Sequence, residues 1–330
     1  MAVHQVHANA ITYTAAVKAC EHGQSWQQSL ALFEDLRQFP SPAGMSLGSV
    51  INACRLGNVW ALACMLLDRE LARWLDHGMV SASAPSEFSR HASGKNGMTV
   101  VLQRPGVVAV FKPAGLSSEK AVEQVRKELQ SLGGPDVTVV SRLDLLTSGV
   151  LTLALGSRMS ASANYVQAQF AGRLAVKTYH CLCSGQGLGA VGQRSVRSVP
   201  LDVQVSSGMA QVYASSSGQD ACTLLKVKCF YCCKEPQEAN SDSFTFLEAR
   251  PITGRTHQIR VHLSSLGRPP VCDPVYGYQP STSDSRWCSR LFLHCSRVTL
   301  RDASGSLCSA QAPLSPDLLA ALSKLRRFDV

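Results

Sequence analysis

From residue 99 onward, short runs of β-branched and aromatic residues recur between turn residues, and this recurrence limits the possible folds more than any other feature of the chain. TVVLQ, VVAVF, VTVVS, GVLTLAL, KTYHCLC, ACTLLKVKCF and SFTFLEAR follow one another at hairpin-like spacing. Between them, SSEKAVEQVRKELQSL and MSASANYVQAQFAG carry helical spacing. Few long crossovers are available, so the expected class is α+β, a mixed but mostly antiparallel sheet with flanking helices.

The first 80 residues follow a different rule. At a shift of 34 residues, TYTAAVKACEHGQSW (12–26) lies over SLGSVINACRLGNVW (46–60), and Ala19/Ala53, Cys20/Cys54, Gly23/Gly57, Trp26/Trp60 and Leu32/Leu66 coincide. Each unit reads as a helix, a turn at the glycine and a second amphipathic helix such as WQQSLALFEDLRQ, a hairpin that stacks on its neighbour. Over residues 8–74 the pattern NAITYTAAVKAC…ALFEDLRQ resembles the pentatricopeptide repeat, whose family binds single-stranded RNA one base per repeat. In that family the base-reading side chains lie near the start and end of each unit. Here those places hold Thr14, Gly48 and Gly44, and glycine has no side chain to offer a base. Two repeats also fall short of the about three that a stable solenoid needs. A packing or protein-binding cap is therefore expected ahead of base reading. Residues 81–98, SASAPSEFSRHASGKNGM, read as a linker, which divides the chain into a helical segment at 1–80 and a main domain at 99–330.

Lys and Arg total 32 against 23 Asp and Glu, a formal charge of +9 that favours polyanionic partners. No run approaches the ~18–20 apolar residues of a membrane span, so no membrane partner is expected. The 13 cysteines are scattered, and MAVHQVHANA is too short and polar for a signal core. They read as free thiols of a reducing intracellular compartment, and the repeat pattern adds a mitochondrion or plastid as a candidate location. Cys229/Cys232 and Cys181/Cys183 lack the paired knuckles of a zinc ribbon, so no metal is expected. A monomer is the default expectation.

Two stretches carry the chemistry. ARPITGRTHQIRVHLSSLGRPPVCDPVYG (249–277) concentrates Arg255, His257, Arg260 and His262, and SRLDLLTSG (141–149) supplies an acid. Read as a strand, residues 256–262 place Thr256, Gln258, Arg260 and His262 on one face. The same alternation puts Arg142 and Asp144 together and Leu143 opposite. An arginine on a rigid element can hold a carboxylate or phosphate through a fork of donors, and Asp144 is the carboxylate expected to meet Arg260. His257 and His262 lack the glutamate of a zinc-binding HExxH and read as structural or RNA-contacting. A hydrolase built on His257, His262 and Cys272 has no coherent spacing.

Residues 105–330 resemble the RluA-type pseudouridine synthases through five blocks in order: VVAVFKPAGLSSE, SRLDLLTSGVLTLAL, KTYHCLCSG, TGRTHQIRVHL with GRPPVCDPVYG, and LFLHCSRVTL. The resemblance implies the synthase fold with a central cleft. It also implies isomerisation of uridine to its C-linked isomer in structured RNA, ribosomal or transfer, without a cofactor. Such a reaction needs a carboxylate that attacks or assists, a group to manage protons and a way to hold the base outside its stack. By resemblance, Asp144 is the essential aspartate, Arg260 its partner and Arg142 the filler of the gap left by the flipped nucleotide. Tyr179 stacks on the base and serves the proton step, Leu293 forms an apolar wall, and Arg255, His257 and Arg268 contact RNA. The chain departs from the family at Ser141, where a histidine is usual, and at Leu145 and Leu146, where polar or charged residues are common. The alternative is an inactive RNA-binding or assembly scaffold. Retention of Asp144, Arg142, Tyr179 and Arg260 together favours the enzyme.

Overall fold

The computed structural model describes residues 9–23, 25–36, 43–57, 59–76, 97–158, 160–206, 209–234, 243–277 and 284–328. Most of the expected linker lies outside these residues. The chain opens with four helices, α1 (Ala10–His22), α2 (Trp26–Leu36), α3 (Ala43–Leu56) and α4 (Trp60–Asp76). Gly57 has a steric role, since an added Cβ there would fall 2.3 Å from the indole of Trp26. Val17, Phe33, Leu47, Val50 and Ile51 are buried between the helices.

The strands β1 (Thr99–Arg104), β2 (Val107–Lys112), β3 (Val137–Val139), β4 (Ser148–Leu155) and β5 (Val176–Ser184) arise where the β-branched runs predict them, with α5 (Ser118–Ser131) and α6 (Ala161–Ala171) between. Ser117 and Ser160 cap these helices by accepting the Lys120 and Ala163 backbone N–H groups, at 3.2 and 3.3 Å. There follow β6 (Arg194–Ser198), β7 (Leu201–Ser206), β8 (Met209–Ala214), β9 (Cys222–Cys233), β10 (Ser243–Pro251), α7 (Gln258–Ser264), β11 (Leu293–Arg301), β12 (Leu307–Gln311), α8 (Pro316–Ser323) and β13 (Leu325–Phe328). One sheet runs β1-β2-β4-β11-β5-β10-β9-β13, with β3 on β4, β12 on β11 and β6 on β9, while β7 and β8 pair as a separate hairpin. The pairs of the main sheet are antiparallel except β4 with β11. Gly149 permits that parallel contact, because a Cβ there would lie 2.1 Å from the Cys295 carbonyl oxygen.

Two sequence expectations are corrected. Residues 256–262 do not form a strand: Gln258–Ser264 is helix α7, entered through His257 in the left-handed region at φ 53°. Residues Gln258 through Leu263 are all buried, so this helix has no wet face, and the alternation of Ile259, Val261 and Leu263 could imitate a strand. Arg142–Asp144 likewise lies in a loop between β3 and β4, although Leu143 is buried while Arg142 and Asp144 reach solvent, as alternation had predicted.

The N-terminal helices share a continuous apolar core with the main sheet. Helix α3 seats on α6 at two glycines: a Cβ on Gly48 would come within 2.5 Å of the Ala171 Cβ, and one on Gly172 within 2.5 Å of the Ile51 side chain. We expect Gly48→Leu to overpack this contact, costing about 1–3 kcal/mol and lowering the melting temperature of the full chain. An unchanged melt would mean that α3 does not dock there.

Candidate active site

Asp144 sits at the start of a turn closed by the Thr147 N–H on the Asp144 carbonyl, at 3.1 Å. Its loop is held from below by the segment that follows β2. The Lys112 ammonium, fully buried, donates to the carbonyls of Pro113, Leu116 and Leu145 at 2.9, 2.7 and 3.3 Å. The Gly115 N–H joins it on Leu145 at 2.8 Å, and the Ser118 hydroxyl bonds both the carbonyl and the N–H of Leu143, at 2.9 and 3.0 Å. Burial, partly offset by Asp144, pushes the Lys112 amine down from 10.5 to about 8. On the far side, Arg290 donates to Ser148 Oγ at 3.0 Å, and that hydroxyl meets His294 Nδ1 at 2.9 Å. His294 Nε2 donates to the Ala312 carbonyl at 3.1 Å, so Nδ1 is the acceptor and the ring is neutral. Burial accordingly pushes His294 down to about 4.

Opposite Asp144, α7 supplies Arg260. Its Nη1 lies 3.6 Å from Asp144 Oδ2, so the expected partners do meet. The stronger bond goes elsewhere: Nε and Nη2 each reach a carboxylate oxygen of Asp273 at 2.7 Å, a bidentate fork inside the protein. Asp273 Oδ1 also accepts the N–H groups of Val275 and Tyr276. Burial alone would raise the Asp273 carboxyl, but the Arg260 fork holds it below its ordinary range. Tyr276 completes the frame, with its ring 5.0 Å from the Arg260 guanidinium carbon. Its hydroxyl accepts the Val212 N–H at 3.1 Å and is hydrogen-bonded to His257 Nδ1 at 2.9 Å, while His257 Nε2 lies 3.9 Å from Asp144 Oδ2. Burial lowers the His257 pKa below 6.5, so Arg260 carries the positive charge nearest Asp144 at neutral pH. Asp273 and Tyr276 were missed in the sequence; the signal was an acid in an Asp-Pro turn just after a helix carrying a buried arginine.

Tyr179 on β5 and Leu293 on β11 are diagonal neighbours on one face of the sheet and line the same cavity as Asp144, Arg142, Arg255, His257 and Arg260. Burial first, and Cys295 and Asp144 after it, raise the Tyr179 phenol well above 10, so it keeps its proton at neutral pH. Arg142 is exposed at the mouth and has no hydrogen bond or ion pair among the described residues. Arg255 is tethered by Nε to the Asp220 carbonyl at 3.1 Å. Lys177, half-buried beside Tyr179, was not expected as a site residue, yet it lines the cavity too. Arg268 does not join the group. Its guanidinium lies against Gly185 and Gly187, where a Cβ would meet it at 2.6 and 3.1 Å, and it lines neither the inner cavity nor the groove outside it. His262 is structural, bonded through Nδ1 to Thr223 Oγ1 and through Nε2 to the Val199 carbonyl.

Of the three departures, Ser141 anchors its loop by donating to the Thr152 carbonyl at 3.0 Å, and Leu146 packs against the core. Leu145 is 53% exposed and lines the groove without closing it. Among the described residues no group of three or more His, Cys, Asp or Glu side chains could hold a metal, and no helix is long and apolar enough to cross a membrane.

The class that this sheet and cleft define is named by comparison. The sequence profile of the family described as RNA pseudouridylate synthase matches residues 106–265. The dual-specificity RNA pseudouridine synthase RluA of Vibrio parahaemolyticus serotype O3:K6 (strain RIMD 2210633) is 30% identical over 205 residues, 61% of this chain and 76% of that protein. The ribosomal large subunit pseudouridine synthase C of Haemophilus ducreyi (strain 35000HP / ATCC 700724) is 28% identical over 246 residues, 73% of this chain and 71% of that protein. The solved structure of human RNA pseudouridylate synthase domain containing 1 shares the fold, with a TM-score of 0.58 at 24% identity over 72% of this chain and 91% of that one. The chain belongs to the RluA-type pseudouridine synthase family, a family of isomerases acting on RNA.

The Lys112 shift gives a pH signature. Between about 8 and 10.5 the unfolded chain holds a proton on this amine that the folded chain has lost, so the group makes the fold more stable as pH rises through that window. Lys112→Met should remove this increment from urea unfolding curves and lower activity by loosening the Asp144 loop. Identical pH dependence in the two proteins would refute the buried position of the ammonium.

Proposed function

We propose that the protein isomerises a uridine of structured ribosomal or transfer RNA to pseudouridine, with Asp144 as the carboxylate that attacks or assists at the reacting nucleotide. In the net change the N1–C1′ bond breaks and a C5–C1′ bond forms, while one proton leaves C5 and one is gained at N1. No electrons are exchanged with a partner. The observation that carries the reading is a carboxylate open to the cleft and backed by an arginine whose own position is fixed by a second, buried acid. A charge held in place before the reaction needs little reorganisation during it.

Arg142 at the mouth, without a polar partner among the described residues, suits a side chain that fills the gap left by an extruded base. Tyr179 and Leu293 offer the extruded uracil an aromatic face and an apolar wall. Because its phenol remains protonated, Tyr179 acts in the proton step as a donor and not as a ready base. Arg255 and His257 lie where they can take phosphate or ribose at the rim.

Residues 1–80 form a pentatricopeptide-like cap in this reading, and residues 99–330 the catalytic unit. The seating of α3 on α6 supports a cap that packs, since Gly48, at a base-reading place of the repeat, is filled by Ala171. Residues 99–330 expressed alone should melt cooperatively but below the full chain, because the helix face under α3 is then bare; an insoluble or non-cooperative fragment would refute the division.

Asp144→Asn should abolish tritium release from 5-tritiated uridine in RNA while leaving RNA binding in a gel shift nearly intact, because the amide keeps size and reach but is neither nucleophile nor base. Arg260→Ala should reduce turnover and binding alike. It also strands Asp273 in the interior, a loss of about 3–5 kcal/mol that a thermal melt would register. Full turnover by Asp144→Asn would overturn the assignment of the aspartate.

A further inference from the structure

The cleft extends beyond the nucleotide pocket. From the inner cavity of about 80 Å³ around Asp144, a groove of about 870 Å³ runs outward, and the two share Arg142, Asp144, Lys177 and Arg255. Its far wall belongs to the N-terminal helices: Thr14 and Lys18 on α1 and Ser49 on α3 line it. Thr14 and Lys18 are four residues apart and therefore on one helical face, and the Ser46 hydroxyl on α3 donates to the Thr14 hydroxyl at 3.0 Å. The floor between this wall and the active site is the end of α6, with Gln167, Phe170 and Arg173.

Three features make this outer groove fit a polyanion. The charged residues lining it are five cations, Lys18 and Arg173 joining the three from the inner cavity, against the carboxylates of Glu119 and Asp144 alone. Lys18 is exposed and has no hydrogen bond or ion pair among the described residues. The wall is also held rigidly, because Gly48 and Gly172 let α3 and α6 approach closely enough to share the core. A basic groove that begins at a reacting nucleotide and continues past it has the shape that a nucleic-acid backbone requires.

We propose that the N-terminal helices form part of the substrate site: the face of α1 bearing Lys18, together with Arg173 on the groove floor, holds the phosphodiester backbone of the RNA strand that flanks the target uridine. This rests on the synthase reading of Asp144. The repeats then contribute by charge and position, as one wall of a shared groove, and not by reading bases in succession. Lys18 is a positioning residue, remote from the reacting atoms.

The test uses the full chain and two RNAs, a hairpin with a uridine-rich loop carrying single-stranded tails on both sides and the same hairpin without tails. Lys18→Glu should weaken binding of the tailed RNA about tenfold and lower the slope of log affinity against log salt by about one, with little change on the tailless hairpin. Lys18→Arg should restore the affinity. Lys127, 72% exposed on α5 and absent from the groove lining, supplies the control as Lys127→Glu. If the tailed RNA turns over, KM should rise in Lys18→Glu with kcat unchanged. Equal affinities of Lys18→Glu and Lys127→Glu for the tailed RNA would overturn the proposal, as would an equal loss on both RNAs. Binding by gel shift is read independently of turnover, so a protein that binds the tailed RNA through Lys18 without isomerising it would sink the catalytic reading and keep the groove.

Discussion

The buried fork between Arg260 and Asp273 is the interaction on which the active site depends. A guanidinium taken out of water alone is costly, and one truncated partner of a buried pair costs about 3–5 kcal/mol. Asp273 repays that desolvation with two bonds at 2.7 Å, and two backbone N–H groups hold Asp273 in turn. Only Nη1 of Arg260 is left to face Asp144, at 3.6 Å. The looser pair is the one open to the cleft. Had Asp144 been the fork's main partner, its oxygens would be occupied by the bonds that hold the protein together, and less available to a substrate.

The Asp144 loop is held mainly through backbone atoms. Lys112, Gly115 and Ser118 bond the carbonyls or N–H groups of Leu143 and Leu145, leaving the side chains of 145 and 146 out of the clamp. This explains how the chain carries two leucines at 145 and 146 without losing the turn that presents Asp144. At position 141 the anchor is instead a side chain, and the serine hydroxyl makes a bond to the Thr152 carbonyl that a hydrophobic residue could not.

Much of the fold was legible in the sequence because β-branched runs on half-buried strands announce themselves by composition and spacing, as β1 to β5, β9 and β10 did. Helix α7 was not, since a helix buried on every side has no polar stripe for periodicity to detect, and its Ile259, Val261 and Leu263 alternate by accident. The meeting of Arg260 with Asp144 was anticipated for the wrong geometric reason. Both the strand alternation and the actual helix aim Arg260 inward, but only the helix brings it to Asp273, 13 residues on, while setting His257 one turn away beside Asp144. Arg268 was placed in the cleft by the family resemblance of the block that carries it. The chain turns at Gly267, however, and carries it to the glycines after β5. Charge along a sequence does not say which side of a turn a side chain will occupy.

The repeat at the start of the chain shows the same limit from the other direction. Gly57 seats Trp26, whereas Gly23, its partner at the shift of 34, would meet nothing nearer than 3.6 Å. Gly48 shares the register with Thr14, but Thr14 borders the groove while Gly48 is sealed against Ala168 and Ala171. One position of the repeat has thus been divided between two tasks: in the first unit it faces the groove and in the second it fastens the helices to the synthase. Fastening at Gly48 sets where α1 lies, and α1 brings Lys18 to the groove that starts at Asp144. The absence of a side chain at Gly48, which lets α3 seat on α6, is therefore also what lets α1 stand as a wall beside Asp144.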